Sequence, residues 1–149
     1  MINEIIAKIN LHKGRAKSAL LEIKEWDELG CEIFEDFEKI KTIDTFIYRF
    51  IKLQDMMGEK LFKAFLDEIG EYKDSMSLLD MLDKLEKFNI LNSANQWMEY
   101  RKLRNKLTHE YPNNEQDIVD GIYVAIGVFD EIEMILSNVM EYRRGKGLK

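Results

Sequence analysis

The chain has few of the residues that bend, staple or ligate. One cysteine among 149 residues, Cys31, rules out an internal disulfide, and with two histidines it also rules out a zinc cluster of the usual ligands. One proline and eight glycines are too few for a β-sandwich or barrel, which needs turn signals at close intervals. The most apolar run, Ile122 to Phe129, falls far short of the ~20 residues needed to cross a bilayer. Glu4 and Lys8 interrupt the first apolar stretch, so no secretory leader is expected there. No low-complexity tract, repeat or linker divides the chain. What remains is 46% apolar and 34% charged, enough for one domain with a sizeable core. The expectation is a single soluble, reduced, cytoplasmic, helical domain spanning 1–149.

Net charge is −6, which argues against a general nucleic-acid coat and against DNA as a partner. The distribution is uneven. Between Pro112 and Tyr142 there are seven acids and no base, whereas Arg101 to Lys106 holds four bases in six residues. A polyanion would be met locally, against a repulsive remainder.

Apolar spacing predicts five amphipathic helices with short links, an all-α, antiparallel up-and-down bundle of four to five helices. The first covers Ile2 to Leu29, stopped by Gly30. Residues 31–41 are ambiguous. The second is capped by Thr42 or Asp44 and buries Phe46, Phe50, Leu53, Met57, Leu61 and Phe65 before Gly70. A third follows Asp74-Ser75, and a fourth follows Asn92-Ser93 and ends near Tyr111, because Pro112 disfavours α geometry at the preceding residue. Asn113-Asn114 caps the fifth, whose stripe runs from Ile118 to Val139. The tail 143–149, with two glycines and four bases, is expected to fray.

Most chemical constellations are missing. There is no P-loop, dinucleotide glycine pattern or Gly-x-Ser-x-Gly. Glu35-Asp36, Asp80-x-x-Asp83 and Asp130-Glu131-x-Glu133 read as solvated helix faces, without calcium-ligand spacing. Neither a metal nor a cofactor is expected. His12, among Asn10, Lys13 and Arg15, reads as a surface residue.

The run Arg101 to Pro112 differs. On a wheel at about 100° per residue, Tyr100, Leu103 and Leu107 face the core. Arg104, Thr108, Asn105, His109 and Tyr111 form a polar arc beside it. Two readings are open from these residues alone. Arginine and histidine near a helix end can satisfy neighbouring carbonyls and the negative terminus. Alternatively, they can cleave an RNA phosphodiester, with Arg104 holding phosphate, His109 moving a proton and Asn105 orienting His109, supported by Arg101 and Thr108. One histidine serves two proton transfers poorly, so this second reading favours a symmetric dimer.

At these residues the chain resembles the HEPN superfamily, whose signature is Arg, four to six residues, then His. Arg104-Asn105-Lys106-Leu107-Thr108-His109 has the four-residue spacing. Extended to Tyr111 it resembles the HepT-like branch, the toxin partners of minimal nucleotidyltransferase antitoxins. The long second helix, Leu85-Glu86-Lys87-Phe88, Trp97 seven residues before the arginine, and the apolar last helix all fit, so roughly residues 40–142 take part. The resemblance implies a face-to-face homodimer acting as a metal-independent endoribonuclease toxin. It also implies neutralisation by a nucleotidyltransferase that transfers AMP to Tyr111. Related proteins are instead nucleotidyltransferase substrate-binding subunits, so a non-catalytic nucleotide- or nucleotidyltransferase-binding subunit is the alternative. The implied partners are RNA, a second copy and the nucleotidyltransferase, with no membrane.

Overall fold

A computed structural model describes residues 1–108 and 114–148; His109 to Asn113 and Lys149 lie outside the described residues. Among the described residues there is helix and no strand. Helix α1 covers Ile2–Lys24, α2 Phe37–Met56, α3 Phe62–Glu68, α4 Leu78–Lys87, α5 Ala94–Thr108 and α6 Glu115–Gly145. A wide π turn, Met57–Leu61, joins α2 to α3, so the two form one long rod.

Contacts far apart in sequence give the topology. Glu22 meets Thr42 and His12 meets Arg49, so α1 and α2 run antiparallel. Gln54 and Tyr100 meet, as do Tyr100 and Glu131, which sets α5 against both α2 and α6, and Asn138 bonds the Ile90 carbonyl in the link before α5. Tyr123 donates to the Leu29 carbonyl at one end, and Arg143 reaches Glu68 and Asn3 at the other. The result is an all-α up-and-down bundle of four long bodies, with the short α4 bridging the crossover before α5. No helix among the described residues is long and apolar enough to cross a membrane.

The predicted stripe of the long rod is correct: Phe46, Phe50, Leu53, Met57, Leu61 and Phe65 are all fully buried. From Leu53 onward they recur every fourth residue. On a straight α-helix such spacing drifts around the axis, since a turn takes 3.6 residues. The π turn absorbs that drift and keeps the stripe facing inward. Gly70, at φ +77°, ends the rod in a left-handed conformation that glycine adopts without strain.

Helix boundaries depart from expectation where several residues can cap. Helix α1 stops at Lys24, five residues before Leu29: the Glu25 and Trp26 amides bond carbonyls three residues back, tightening the last turn. Helix α2 starts earlier than Thr42 or Asp44, because Asp36 accepts from the Glu38 and Lys39 amides. Thr42 is instead buried, donating to Glu22. Likewise Ser77, not Asp74-Ser75, opens α4 through a reciprocal cap with Asp80. Asp36 and Asp80 are exposed, as expected of solvated acids, and serve as caps in addition. Helix α6 follows Asn114, whose side chain donates to Asp117 rather than capping the backbone.

The C-terminal correction is larger. The tail expected to fray from Arg143 is helical through Gly145. Arg143 is 3% exposed, and its guanidinium donates to both Glu68 oxygens, at 2.8 and 3.1 Å. This fork ties the end of α6 to the end of α3, which anchors the last turn that the glycines would otherwise loosen.

Candidate functional site

The last turns of α5 carry the sequence-predicted residues. Ser93 opens the helix by accepting from the Gln96 amide, and Trp97 and Tyr100 bury its inner face. Leu103 and Leu107 continue that face half-buried, which leaves Arg104 at its edge. Helix α6 approaches closely here: a Cβ on Gly121 would sit 3.1 Å from Leu107 Cδ2. The absence of a side chain at Gly121 therefore sets how near α5 lies.

Arg104 does not project freely. Its Nε donates to Asp55 Oδ1 at 2.8 Å and its Nη2 to Asp55 Oδ2 at 2.7 Å, a two-pronged pair with the end of α2. Its Nη1 donates to Asn105 Oδ1 at 3.3 Å. The hydrogen bonds it donates to Asp55 raise the guanidinium above its ordinary range, against burial, and the charges of Asp55 and Glu59 add to the effect. Guanidinium has five N–H donors. Among the described residues three are engaged, which leaves one N–H on each Nη for an anion.

The neighbouring Gln54 extends this clamp to the backbone. It is 2% exposed and its Nε2 donates at 2.9 Å to the carbonyl of Tyr100, four residues before Arg104. The Tyr100 hydroxyl in turn donates to Glu131 on α6. Burial, reinforced by that carboxylate, pushes the Tyr100 phenol well above its usual range. One turn of α5 is therefore held from α2 and from α6 at once.

Beside Arg104 is a cavity of about 390 Å³, lined by Asp55, Gly58, Trp97, Arg101 and Asn105 among others. Its wall includes the π turn, and its two arginines face two acids, Asp55 and Glu59. Any anion entering must compete with Asp55 for Arg104.

The structure brings Arg104, Asn105 and Arg101 to one cavity edge. Thr108 is exposed and its hydroxyl donates to the Arg104 carbonyl, so its contact supports the helix backbone. The Asn105 side-chain oxygen accepts from Arg104. The expected orientation of His109 by Asn105, and the expected placement of His109 and Tyr111, lie outside the described residues. Sequence reasoning missed Asp55 and Gln54. Gln54 carried a usable signal, since a glutamine four residues after Phe50 sits in the buried phase. Asp55 carried none, because its partner is 49 positions away.

Among the described residues, no group of three or more His, Cys, Asp or Glu is arranged to hold a metal ion. No family model, curated protein or solved structure matches the chain.

Proposed function

We propose that the chain is a HEPN-type endoribonuclease that cleaves RNA without a metal ion, working as a homodimer. In this reading it is the toxin of a pair whose minimal nucleotidyltransferase antitoxin silences it by AMPylating Tyr111. The observation that carries the reading is the guanidinium of Arg104, pre-positioned by Asp55 at a cavity edge with two N–H groups unengaged among the described residues, five residues before His109.

The chemistry follows from those groups. Arg104 holds two non-bridging oxygens of the scissile phosphate and offsets the charge that develops on them. His109 takes the proton from the 2′-hydroxyl as that oxygen bonds to phosphorus. The bond to the 5′-oxygen breaks, and the departing oxygen takes up a proton. The products are a 2′,3′-cyclic phosphate and a 5′-hydroxyl. A second copy of the chain supplies the second imidazole. On a helical wheel Tyr111, seven residues from Arg104, shares its face, so in this reading an adenylyl group there would crowd the phosphate site.

Incubation of purified protein with total RNA in EDTA tests this. Cleavage by the wild type that is lost in His109→Ala supports the proposal, and identical uncleaved profiles from both overturn it.

One observation favours a second reading, a non-catalytic nucleotide- or nucleotidyltransferase-binding subunit. Asp55 partly neutralises Arg104, which leaves it less charge with which to offset that developing in a transition state. Calorimetry with AMP and ATP separates the two: tight binding together with intact RNA selects the subunit.

A further inference from the structure

Away from the α5 site, α1 and α2 gather cations around one imidazole. His12 Nδ1 lies 3.0 Å from Arg49 Nη1. Guanidinium can only donate, so Nδ1 accepts and the ring is neutral, with its proton on Nε2. Burial, followed by the charges of Arg49, Lys52 and Arg15, holds this histidine below its ordinary range. All three charges acting on it are positive. Among the described residues none of Arg15, Arg49 and Lys52 has a carboxylate within salt-bridge distance; Arg49 donates to His12 alone.

An aromatic ring sits among these cations. Tyr48 is 52% exposed, with the Arg49 guanidinium 5.2 Å and the Lys52 ammonium 5.6 Å from its ring centre. Cations beside an exposed aromatic face are the elements of single-strand recognition, one neutralising phosphates and the other stacking a base. In a chain of net charge −6, these cations make a local positive surface on which an anionic strand is attracted rather than repelled. The patch also leads somewhere. Lys52 and Asp55 are three residues apart, neighbours on the surface of α2, and Asp55 holds Arg104.

We propose that Arg15, Arg49, Lys52 and Tyr48 form a docking site for a single RNA strand, which runs along α2 into the Arg104 site. The cations hold successive phosphates, and Tyr48 stacks a base. This rests on RNA being the substrate, as proposed above, but it concerns binding and not cleavage.

The test is fluorescence anisotropy of a labelled 12-nucleotide single-stranded RNA with His109→Ala protein, so that no strand is cut. Arg49→Glu with Lys52→Glu is expected to weaken binding at least tenfold at 50 mM salt. The slope of log affinity against log salt becomes shallower by about 1.4, at roughly 0.7 for each phosphate no longer neutralised. Tyr48→Ala is expected to weaken it about fivefold or more, the scale of one stacked base. Lys24→Glu with Lys87→Glu changes the net charge equally and is expected to stay within twofold. Arg49 is half-buried, so Arg15→Glu with Lys52→Glu, both exposed, repeats the test with less risk to folding. Equal losses from patch and control pairs, an unchanged salt slope, or no binding by the His109→Ala parent overturns the proposal. Binding that depends on the patch, from a protein that never cleaves RNA, upholds this site and removes the nuclease. Cleavage by a protein indifferent to the patch substitutions does the reverse.

Discussion

Asp55 and Arg104, 49 positions apart, meet through two hydrogen bonds of 2.8 and 2.7 Å that use both carboxylate oxygens. A fork of this kind fixes the plane of the guanidinium as well as its position. It also leaves the arginine partly neutralised before any ligand arrives. Asp55 is thus a positioning residue for the proposed phosphate-binding group and, at the same time, a competitor for it.

Asp55→Ala is expected to lower RNA cleavage by about 10- to 100-fold, the cost of a displaced functional group. Both partners are about a quarter exposed, so stability should fall by no more than about 1 kcal/mol. Asp55→Asn keeps one acceptor for Nε and is expected to restore part of the activity. Cleavage rates together with urea melts decide between a positioning role and a merely stabilising one.

The His12 environment predicts a dependence of stability on pH. Its folded pKa lies below the unfolded value of 6.5, so the unfolded chain binds the extra proton more readily. Stability from this group is full above pH 6.5 and declines as pH falls through 6.5 toward the folded pKa. The melting temperature should drop between about pH 7.5 and 5.5, and His12→Gln should reduce that drop. An equal drop in both proteins would show that other groups set it.

Removing the partner of Arg143 should be severe. Glu68→Ala leaves a guanidinium that is 4% exposed without its carboxylate, and breaking such a pair costs about 3 kcal/mol or more. Replacing both residues, as Glu68→Leu with Arg143→Met, should cost less than the single change. Chemical denaturation of the three variants measures this.

At Gly70 the backbone sits at φ +77°, so Gly70→Ala should destabilise by about 1 kcal/mol even though nothing lies within 4 Å of the added methyl. A change indistinguishable from zero in denaturant midpoint would refute a strain-based role for this residue.

The stripe from Phe46 to Phe65 was legible in sequence because burial of one helix face imposes a repeat that needs no knowledge of the partner. The turn at Gly70 was legible for a similarly local reason. Starting points were less so. Asp36, Thr42 and Asp44 have equivalent capping chemistry, and so do Asp74, Ser75 and Ser77. The choice fell to whichever backbone the surrounding packing left open. The tail shows the same limit from the other side: two glycines predict fraying, yet Glu68 captures Arg143 and holds the last turn. In the candidate site, the arc carrying Arg104 and Asn105 could be read from the helical period, while the carboxylate that holds Arg104 could not.

The sequence by itself determined the helical class, the buried stripe of the long rod and the polar edge on which Arg104 sits. These depend on a period of 3.6 residues and on transfer of apolar side chains from water, both of which act along a single helix. Only the tertiary structure decided which charges are spent and which are spare. Asp55 closes on Arg104, while the charges that act on His12, those of Arg15, Arg49 and Lys52, are all positive. Charge pairing is set by the distance between side chains on different helices, and that distance exists only once the helices have packed.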